Sequence, residues 1–321
     1  MPTKTHGVAN ANATNRMTSS QLNELVINWH ITEACNYNCT YCFAKWGKPN
    51  ELHRSLSSIE QLLDKLANYF ILGNPEIKRM LGYQDVRLNF AGGEPMMLGS
   101  AFSTALVMAK QKGFQTSIIT NGSYLLRRRF ELPVNTLDMI GISFDSQQSS
   151  VRRELGRIDR RGNSLNEDEL QLALQLLSHT QKGLKTKINT VVNALNWEED
   201  FTHLISRIAV DKWKVLQVMP TDKHELLISD DQFRRFVQKH SGKGLPISPE
   251  SNNTMTESYL MIDPNGRFYQ NNNGMSGYSY SERITDVGVE AALSQVNFNC
   301  NRFKSRYHVK NMSNISDEVL I

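Results

Sequence analysis

Three of the four cysteines of this 321-residue chain, Cys35, Cys39 and Cys42, fall within eight residues, while Cys300 lies far away. Three thiols at C-x3-C-x2-C spacing commit a short loop to one place, because they converge only if the chain wraps around something that binds them. Four cysteines are too few for a disulfide scaffold in a chain of this length. Thiolate sulfur suits iron, and three adjacent thiolates can hold three corners of a cubane cluster, leaving the fourth iron open. Structural zinc asks for four ligands, and Cys300 or His30 would have to complete such a site.

The surroundings of that loop read as an α/β domain. Apolar strand-like runs, Leu25 to Ile31, Val86 to Phe90, Gln115 to Thr120, Met139 to Phe144, Lys185 to Val192 and Trp213 to Met219, alternate with helical or mixed segments. The helical segments lie around 99–112, 166–182 and 198–208, and another helix opens at Ser57. There Ser57 and Glu60 are expected to form a capping box ahead of Ile59, Leu62, Leu63, Leu66 and Phe70 at helical spacing. After Pro220 the pattern predicts a helix from Asp230 to His240 and a hairpin of Tyr259 to Ile262 with Arg267 to Gln270. A polar loop over 271–280 and a short helix from Val287 to Leu293 follow. Repeated strand–helix units predict a parallel sheet, whose ligands gather at the C-terminal ends of the strands. The cysteine loop sits there, as do Gly92-Gly93-Glu94-Pro95, Asn121-Gly122 and Ser143 to Asp145.

Composition narrows the function classes. No apolar run approaches the 18 or so residues of a membrane span, and 36 Lys+Arg against 32 Asp+Glu give a net charge of +4. That is too mild for a dedicated nucleic-acid binder, although it permits local basic pockets. Residues 1–20 read as a flexible polar leader without the apolar core of a signal peptide, which predicts a cytoplasmic protein with no membrane partner.

The cysteine motif, with Tyr41 before its last cysteine and GGEP one strand–helix unit later, resembles that of the radical S-adenosylmethionine superfamily. The resemblance implies a partial (βα)6 barrel over residues 21–220, with a C-terminal extension, 221–321, completing the substrate site. It implies a 4Fe-4S cluster on Cys35, Cys39 and Cys42, with S-adenosylmethionine as cofactor. Tyr41, Gly92, Gly93, Glu94, Asn121, Ser143 and Arg157 would then hold that cofactor, the glycines by letting backbone approach it. Without the family, Arg157 reads equally as a surface cation of the basic run Arg152 to Arg161.

Further blocks narrow the resemblance. Asn28-Trp29-His30, Cys35 through Phe43, Leu88-Asn89-Phe90, Ile142 through Ser146, Leu155-Gly156-Arg157, Lys187 through Asn193, Lys212 through Val215 and Asp286 through Glu290 together are similar to the viperin-like family in a prokaryotic form. That family converts a ribonucleoside triphosphate to its 3'-deoxy-3',4'-didehydro form, a terminator of viral RNA synthesis. A 5'-deoxyadenosyl radical takes hydrogen from C4' and the 3'-hydroxyl leaves as water. By the family's pattern Arg87, Lys187, Lys212 and Lys214 meet the phosphates, with Asn28 and Asn189 as polar partners. Lys187 and Asn189 share one strand face, as do Lys212 and Lys214; on an ordinary strand such alternation marks the solvated face. Arg87 and Lys212 stand where lysine and arginine are expected, and Ala91 where serine often precedes GGEP. The polar leader departs from the amphipathic helix of the animal enzyme. The segment Asn299 to Lys310, with Arg302, Lys304 and Arg306, reads as a lid.

The resemblance also implies an electron donor. A monomer without direct nucleic-acid contact is expected. No residue stands out as assisting hydroxyl loss, so the catalytic acid is left unassigned. Competing readings are a radical enzyme with another substrate, against which the lone Cys300 argues where a second cysteine cluster would be expected, and a zinc-stabilised nucleic-acid module using Arg127 to Arg129 and Arg152 to Arg161.

Overall fold

The computed structural model describes residues 22–44, 50–127, 132–220, 224–271 and 277–308; the leader, Arg128, Arg129 and Lys310 lie outside them. Seven parallel strands follow one another across a sheet in chain order. They are β1 (Glu24–Thr32), β2 (Asp85–Gly92), β3 (Gln115–Thr120), β4 (Met139–Ser143), β5 (Lys185–Val192), β6 (Lys212–Gln217) and β7 (Ile247–Glu250). On the other side of β1, β8 (Leu260–Ile262) pairs parallel, and β9 (Arg267–Asn271) and β10 (Tyr278–Arg283) continue antiparallel. Among the described residues the two edges, β7 and β10, do not pair, which makes the sheet a partial barrel, and residues beyond 220 supply four of its ten strands.

Helices connect these strands: α1 (Leu56–Leu66), α2 (Glu76–Leu81), α3 (Ser100–Gln111), α4 (Ser149–Glu154), α5 (Glu167–Thr180), α6 (Thr202–Ile208) and α7 (Asp230–His240). Four short ones follow: α8 (Asn252–Met255), α9 (Ile284–Val287), α10 (Val289–Leu293) and α11 (Cys300–His308). Alternation along the strands decides what faces the helices. Leu25, Ile27, Trp29 and Ile31 of β1 are fully buried, as are Leu88 and Phe90 of β2 and Trp213 and Val215 of β6. Trp29 meets Phe90, which meets Phe102 of α3, and Trp213 packs against Phe201 and Phe236. Each such ring contributes roughly 2 to 3 kcal/mol of burial. The alternate residues, Asn28, Arg87, Asn89, Ser117, Lys187, Asn189, Lys212 and Lys214, face the barrel interior instead.

Four details differ from the sequence reading. Helix α1 is capped by Ser55, whose Oγ accepts from the Ser58 N–H at 3.3 Å, so Ser57 already lies in the first turn. Two serines two residues apart offer rival caps, and the chain turns out of the helix at the earlier one. Strand β7 was missed because Ile-Ser-Pro-Glu is too short and too polar to show alternation, yet it pairs with β6 from Trp213 to Leu216. The polar stretch 271–280 ends in β10, whose Tyr278 and Tyr280 pair with β9. Strand β6 begins at Lys212 and ends at Gln217 rather than running to Met219. The expected hairpin is present: Asp263 accepts from the N–H groups of Asn265 and Arg267, both at 2.9 Å, and Gly266 turns the chain with φ +77°.

Candidate active site

The cysteine loop leaves the C-terminal end of β1 and is held by backbone from two sides. The N–H groups of Gly93 and Glu94 donate to the carbonyls of Thr32 and Ala34 at 2.7 and 2.8 Å, and those of Asn38 and Thr40 donate to Gly156 and Leu155 at 3.2 and 3.0 Å. The glycines make this approach possible. A Cβ on Gly93 would stand 2.1 Å from the Ala34 carbonyl oxygen, and one on Gly156 2.2 Å from that of Asn38. The space that GGE leaves is therefore filled by the cysteine loop itself.

Cys35 is exposed, and Cys39 and Cys42 are partly so; all three are free thiols. Asn121, at the end of β3, sets its Nδ2 3.8 Å from the Cys35 sulfur, and the Arg157 Nη1 lies 3.8 Å from that of Cys39. Burial pushes the Cys39 thiol up to about 11 despite the guanidinium beside it, so ligation by a metal must expel its proton. These donors fit an iron–sulfur cluster: soft sulfur, a nearby cation, and one thiol available to each of three irons. Among the described residues no three His, Cys, Asp or Glu side chains converge as a single metal ion would require. Cys300 begins α11, the helix that contacts α2, and His30 is packed between Phe43 and Tyr269.

Glu94 is fully buried. Its carboxylate accepts from Thr120 Oγ1 at 2.8 Å, the Met96 N–H at 3.1 Å and the Asn121 N–H at 2.7 Å, and burial raises it to about 7. It holds Asn121 and the end of β3 in place. Arg157, buried rather than at the surface, donates to the Ser143 carbonyl at 2.7 Å and Tyr41 Oη at 3.1 Å, and pairs with Asp145 at 3.0 Å. Burial alone would lower its pKa, but Asp145, Tyr41 and Cys39 hold it above its usual value. The Tyr41 hydroxyl donates to Asp145. Thus Tyr41, Asn121, Ser143, Arg157 and the GGE segment do meet around the thiols.

Deeper in the barrel the inward residues form a continuous polar strip. Asn89 donates to Asn28 Oδ1 at 2.8 Å, Ser117 donates to Asn89 Oδ1 at 2.6 Å, and Arg87 donates to Ser117 Oγ at 2.9 Å while pairing with Glu24 at 2.7 Å. Lys187 stands level with Lys212, and Asn189 with Lys214. Lys187 and Asn189 are buried. Both side chains cross β4 at Gly141, where a Cβ would lie 2.7 Å from Lys187 Cε and 3.1 Å from Asn189 Nδ2. The buried Asn189 Oδ1 has no hydrogen-bond partner.

The sequence reading missed the far wall of this chamber. Lys214 Nζ donates to Tyr259 Oη at 2.6 Å and pairs with Glu250 at 2.9 Å; the Tyr259 hydroxyl also donates to Glu250. Arg306 of α11 lies over the Tyr259 ring at 3.6 Å and reaches Glu250 at 3.9 Å. Burial works against the charge, yet Lys214 and Arg306 hold the Glu250 carboxyl down at about 2. Burial lowers the Lys214 ammonium, and Arg306 adds to that. Nothing local in the sequence marks Glu250 or Tyr259: Glu250 ends β7 beside β6, Tyr259 precedes β8, which pairs with β1 on the other side of the sheet, and the curvature of the sheet brings the two together. Asn89 and Ser117 did carry a signal, being on the same strand face as Arg87 and level with one another.

The chain matches the radical SAM superfamily over residues 29–192. It is 47% identical over 295 residues to an S-adenosylmethionine-dependent nucleotide dehydratase of Pseudoalteromonas ulvae, covering 91% of this chain and 94% of that protein. A protein of the same name from Psychrobacter lutiphocae is 39% identical over 288 residues, covering 88% and 95%. The solved structure of native anSMEcpe with bound AdoMet shares the fold, with a TM-score of 0.59 over 88% of this chain and 82% of that one at 13% identity. A cysteine loop braced by GGE and an arginine at the mouth of a parallel partial barrel, together with this similarity along nearly the whole chain, place the protein in the radical S-adenosylmethionine superfamily and, within it, in the family of S-adenosylmethionine-dependent nucleotide dehydratases.

Proposed function

We propose that the protein dehydrates a ribonucleoside triphosphate to its 3'-deoxy-3',4'-didehydro analogue, and that this product serves antiviral defence by terminating viral RNA synthesis. The observation that carries the reading is the interior strip of Arg87, Lys187, Lys212 and Lys214 behind the cysteine loop. Arg87 and Lys187 are buried and Lys212 and Lys214 are half-buried; Glu24 and Glu250 balance Arg87 and Lys214, and cations gathered on one interior face still favour a polyanion such as a triphosphate. Arg87 presents a fixed fork while the lysines act as point charges. The unpartnered Asn189 Oδ1 and the Asn28 amide suit ribose hydroxyls at the inner edge of the strip.

Cys35, Cys39 and Cys42 would hold the 4Fe-4S cluster; Tyr41, Gly92, Gly93, Glu94, Asn121, Ser143 and Arg157 would build the S-adenosylmethionine site. Bound there, the cluster and S-adenosylmethionine would supply the radical chemistry needed to take hydrogen from C4' of the nucleotide. The protein's own share is placement: Glu94 orients Asn121, Asp145 orients Arg157, and the interior cations fix the phosphates so that one C–H bond faces the reacting carbon. We read the protein as a cytoplasmic monomer served by a one-electron donor. No helix among the described residues is long and apolar enough to cross a membrane.

The test is anaerobic. The cluster is reconstituted, S-adenosylmethionine and a reductant are added, and CTP, UTP, GTP and ATP are offered separately while 5'-deoxyadenosine is followed by mass spectrometry. At least one nucleotide is expected to stimulate its formation and to lose the mass of water. A reconstituted enzyme that cleaves the cofactor with no response to any nucleotide would refute the assignment of substrate.

A further inference from the structure

We propose that the buried ion pair of Asp145 and Arg157 sets the reduction potential of the iron–sulfur cluster, Arg157 raising it and Asp145 holding it down, an inference that rests on Cys35, Cys39 and Cys42 holding that cluster. Backbone, and not only side chain, presents Arg157 to the Cys39 sulfur. The N–H groups of Asn38 and Thr40, on either side of Cys39, donate to the carbonyls of Gly156 and Leu155, the two residues before Arg157. The Arg157 N–H itself donates to the Arg152 carbonyl at 2.8 Å, which ties it to the end of α4. From that anchored start the guanidinium reaches Cys39, with Nη1 3.8 Å from the sulfur, and Nη2 donates to the Ser143 carbonyl at 2.7 Å.

Asp145 grips the other edge of the guanidinium. Its Oδ2 lies 3.0 Å from Arg157 Nε and accepts from the Tyr41 hydroxyl, whose oxygen accepts in turn from Arg157 Nη1 at 3.1 Å. The second carboxylate oxygen accepts from the Val191 N–H at 2.7 Å, and the Asp145 carbonyl accepts from Asn196 Nδ2 at 2.6 Å. Strand β5 and the turn after it therefore hold the carboxylate in place. Asp145 is 1% exposed and Arg157 7%. The pair is a fixed dipole with its positive end toward the Cys39 sulfur, in a setting where solvent screens it little. The other two thiols have different neighbours. Cys35 accepts from the neutral Tyr37 N–H at 3.4 Å and Asn121 Nδ2 at 3.8 Å, and Cys42 packs beside Ala44, Met261 and Tyr269.

Charge supplies the link to the potential. Reduction moves one electron, and no proton, from a one-electron donor to the cluster, which passes from its 2+ to its 1+ state. The cluster becomes more negative by one charge, so a cation at a ligand sulfur favours the reduced form and a carboxylate opposes it. Arg157 and Asp145 thus act in opposite directions on one equilibrium, and their balance decides how much of the cluster a given donor can reduce. An ion pair that only braced the loop would carry no such sign.

The experiment measures midpoint potentials of the full chain, reconstituted anaerobically and kept free of S-adenosylmethionine so that cofactor binding by Arg157 does not enter. The native protein, D145N, R157Q and D145N/R157Q are titrated with dithionite at one pH, and the reduced cluster is followed by its electron paramagnetic resonance signal. D145N keeps an oxygen that can accept from Arg157, and Arg157 keeps its bond to the Ser143 carbonyl, so the guanidinium stays in place with its charge uncompensated. The potential of D145N should rise by about 59 mV or more, a tenfold change in a one-electron equilibrium. R157Q leaves the carboxylate unopposed and should lower the potential by a similar amount, with the double variant between R157Q and D145N. A loosened loop would instead move both single variants the same way. Shifts of one sign, a D145N equilibrium within about twofold of the native one, or a double variant equal to R157Q would each overturn the proposal. If R157Q takes up no cluster, the rise or its absence in D145N still decides. A native chain that takes up no iron would overturn the assignment of the three cysteines, and is told apart from failure of the proposal by the iron content alone.

Discussion

Glu250 offers the sharpest test of how the interior charges are balanced. Its carboxylate accepts from Tyr259 and pairs with Lys214 at 2.9 Å in a buried setting. Holding that carboxyl at about 2 instead of 4.5 corresponds to about 3 kcal/mol of preference for its charged form in the folded state. Breaking one side of a buried ion pair independently costs about 3 to 5 kcal/mol. Glu250→Gln keeps the shape and removes the charge, so we expect a loss of about 3 kcal/mol at pH 7, or about 4 to 5 °C in Tm for a chain of this size. The folded value lies below the unfolded one, so the contribution is full above pH 4.5 and is lost as the pH falls toward 2. The gap between native and variant should therefore narrow to about 1 kcal/mol at pH 3. Urea unfolding of the metal-free proteins at both pH values measures it, and a K214M/E250Q double variant should lose much less than the sum of its single changes. A difference under 1 kcal/mol at pH 7, or a gap that does not shrink in acid, would show that the carboxylate does not carry this charge.

Three other substitutions probe the rest of the site. Gly93→Ala puts a Cβ against the Ala34 carbonyl; iron bound per chain after anaerobic reconstitution should fall several-fold while the far-UV circular dichroism is retained. Gly141→Ala crowds Lys187 and Asn189 and should raise the KM for nucleotide about tenfold, or about 1.4 kcal/mol, while nucleotide-independent cleavage of S-adenosylmethionine is unchanged. Glu94 is raised to about 7, so the stability from its neutral form is complete below pH 4.5 and disappears as the pH rises through 7. Glu94→Gln should flatten that part of the stability profile; an unaltered slope would place the titration elsewhere.

Much of the fold was legible because strand alternation and helical periodicity are local. Leu25 to Ile31, Gln115 to Thr120, Lys185 to Val192 and Asp230 to His240 could be placed within a residue or two. The cysteine loop, GGEP and Asn121 were legible as well, since each follows a strand and a parallel sheet must bring such loops to one end. Strand β7 was not legible: four residues with a proline at the sheet's edge carry too little pattern. Nor was the direction of the Lys187-x-Asn189 and Lys212-x-Lys214 faces, because alternation says that two residues share a side without saying which side meets water.

Sequence alone thus determined the parallel architecture, the clustered thiols and the residues that gather beside them, all of which depend on short-range spacing. Tertiary structure decided the rest. It buried Arg157 against Asp145, turned Lys187 and Asn189 inward across Gly141, and brought Glu250, Tyr259 and Arg306 from three later segments into the wall around Lys214. Such contacts depend on how the sheet curves and which edge the last strands join, and that is settled by packing the whole chain at once.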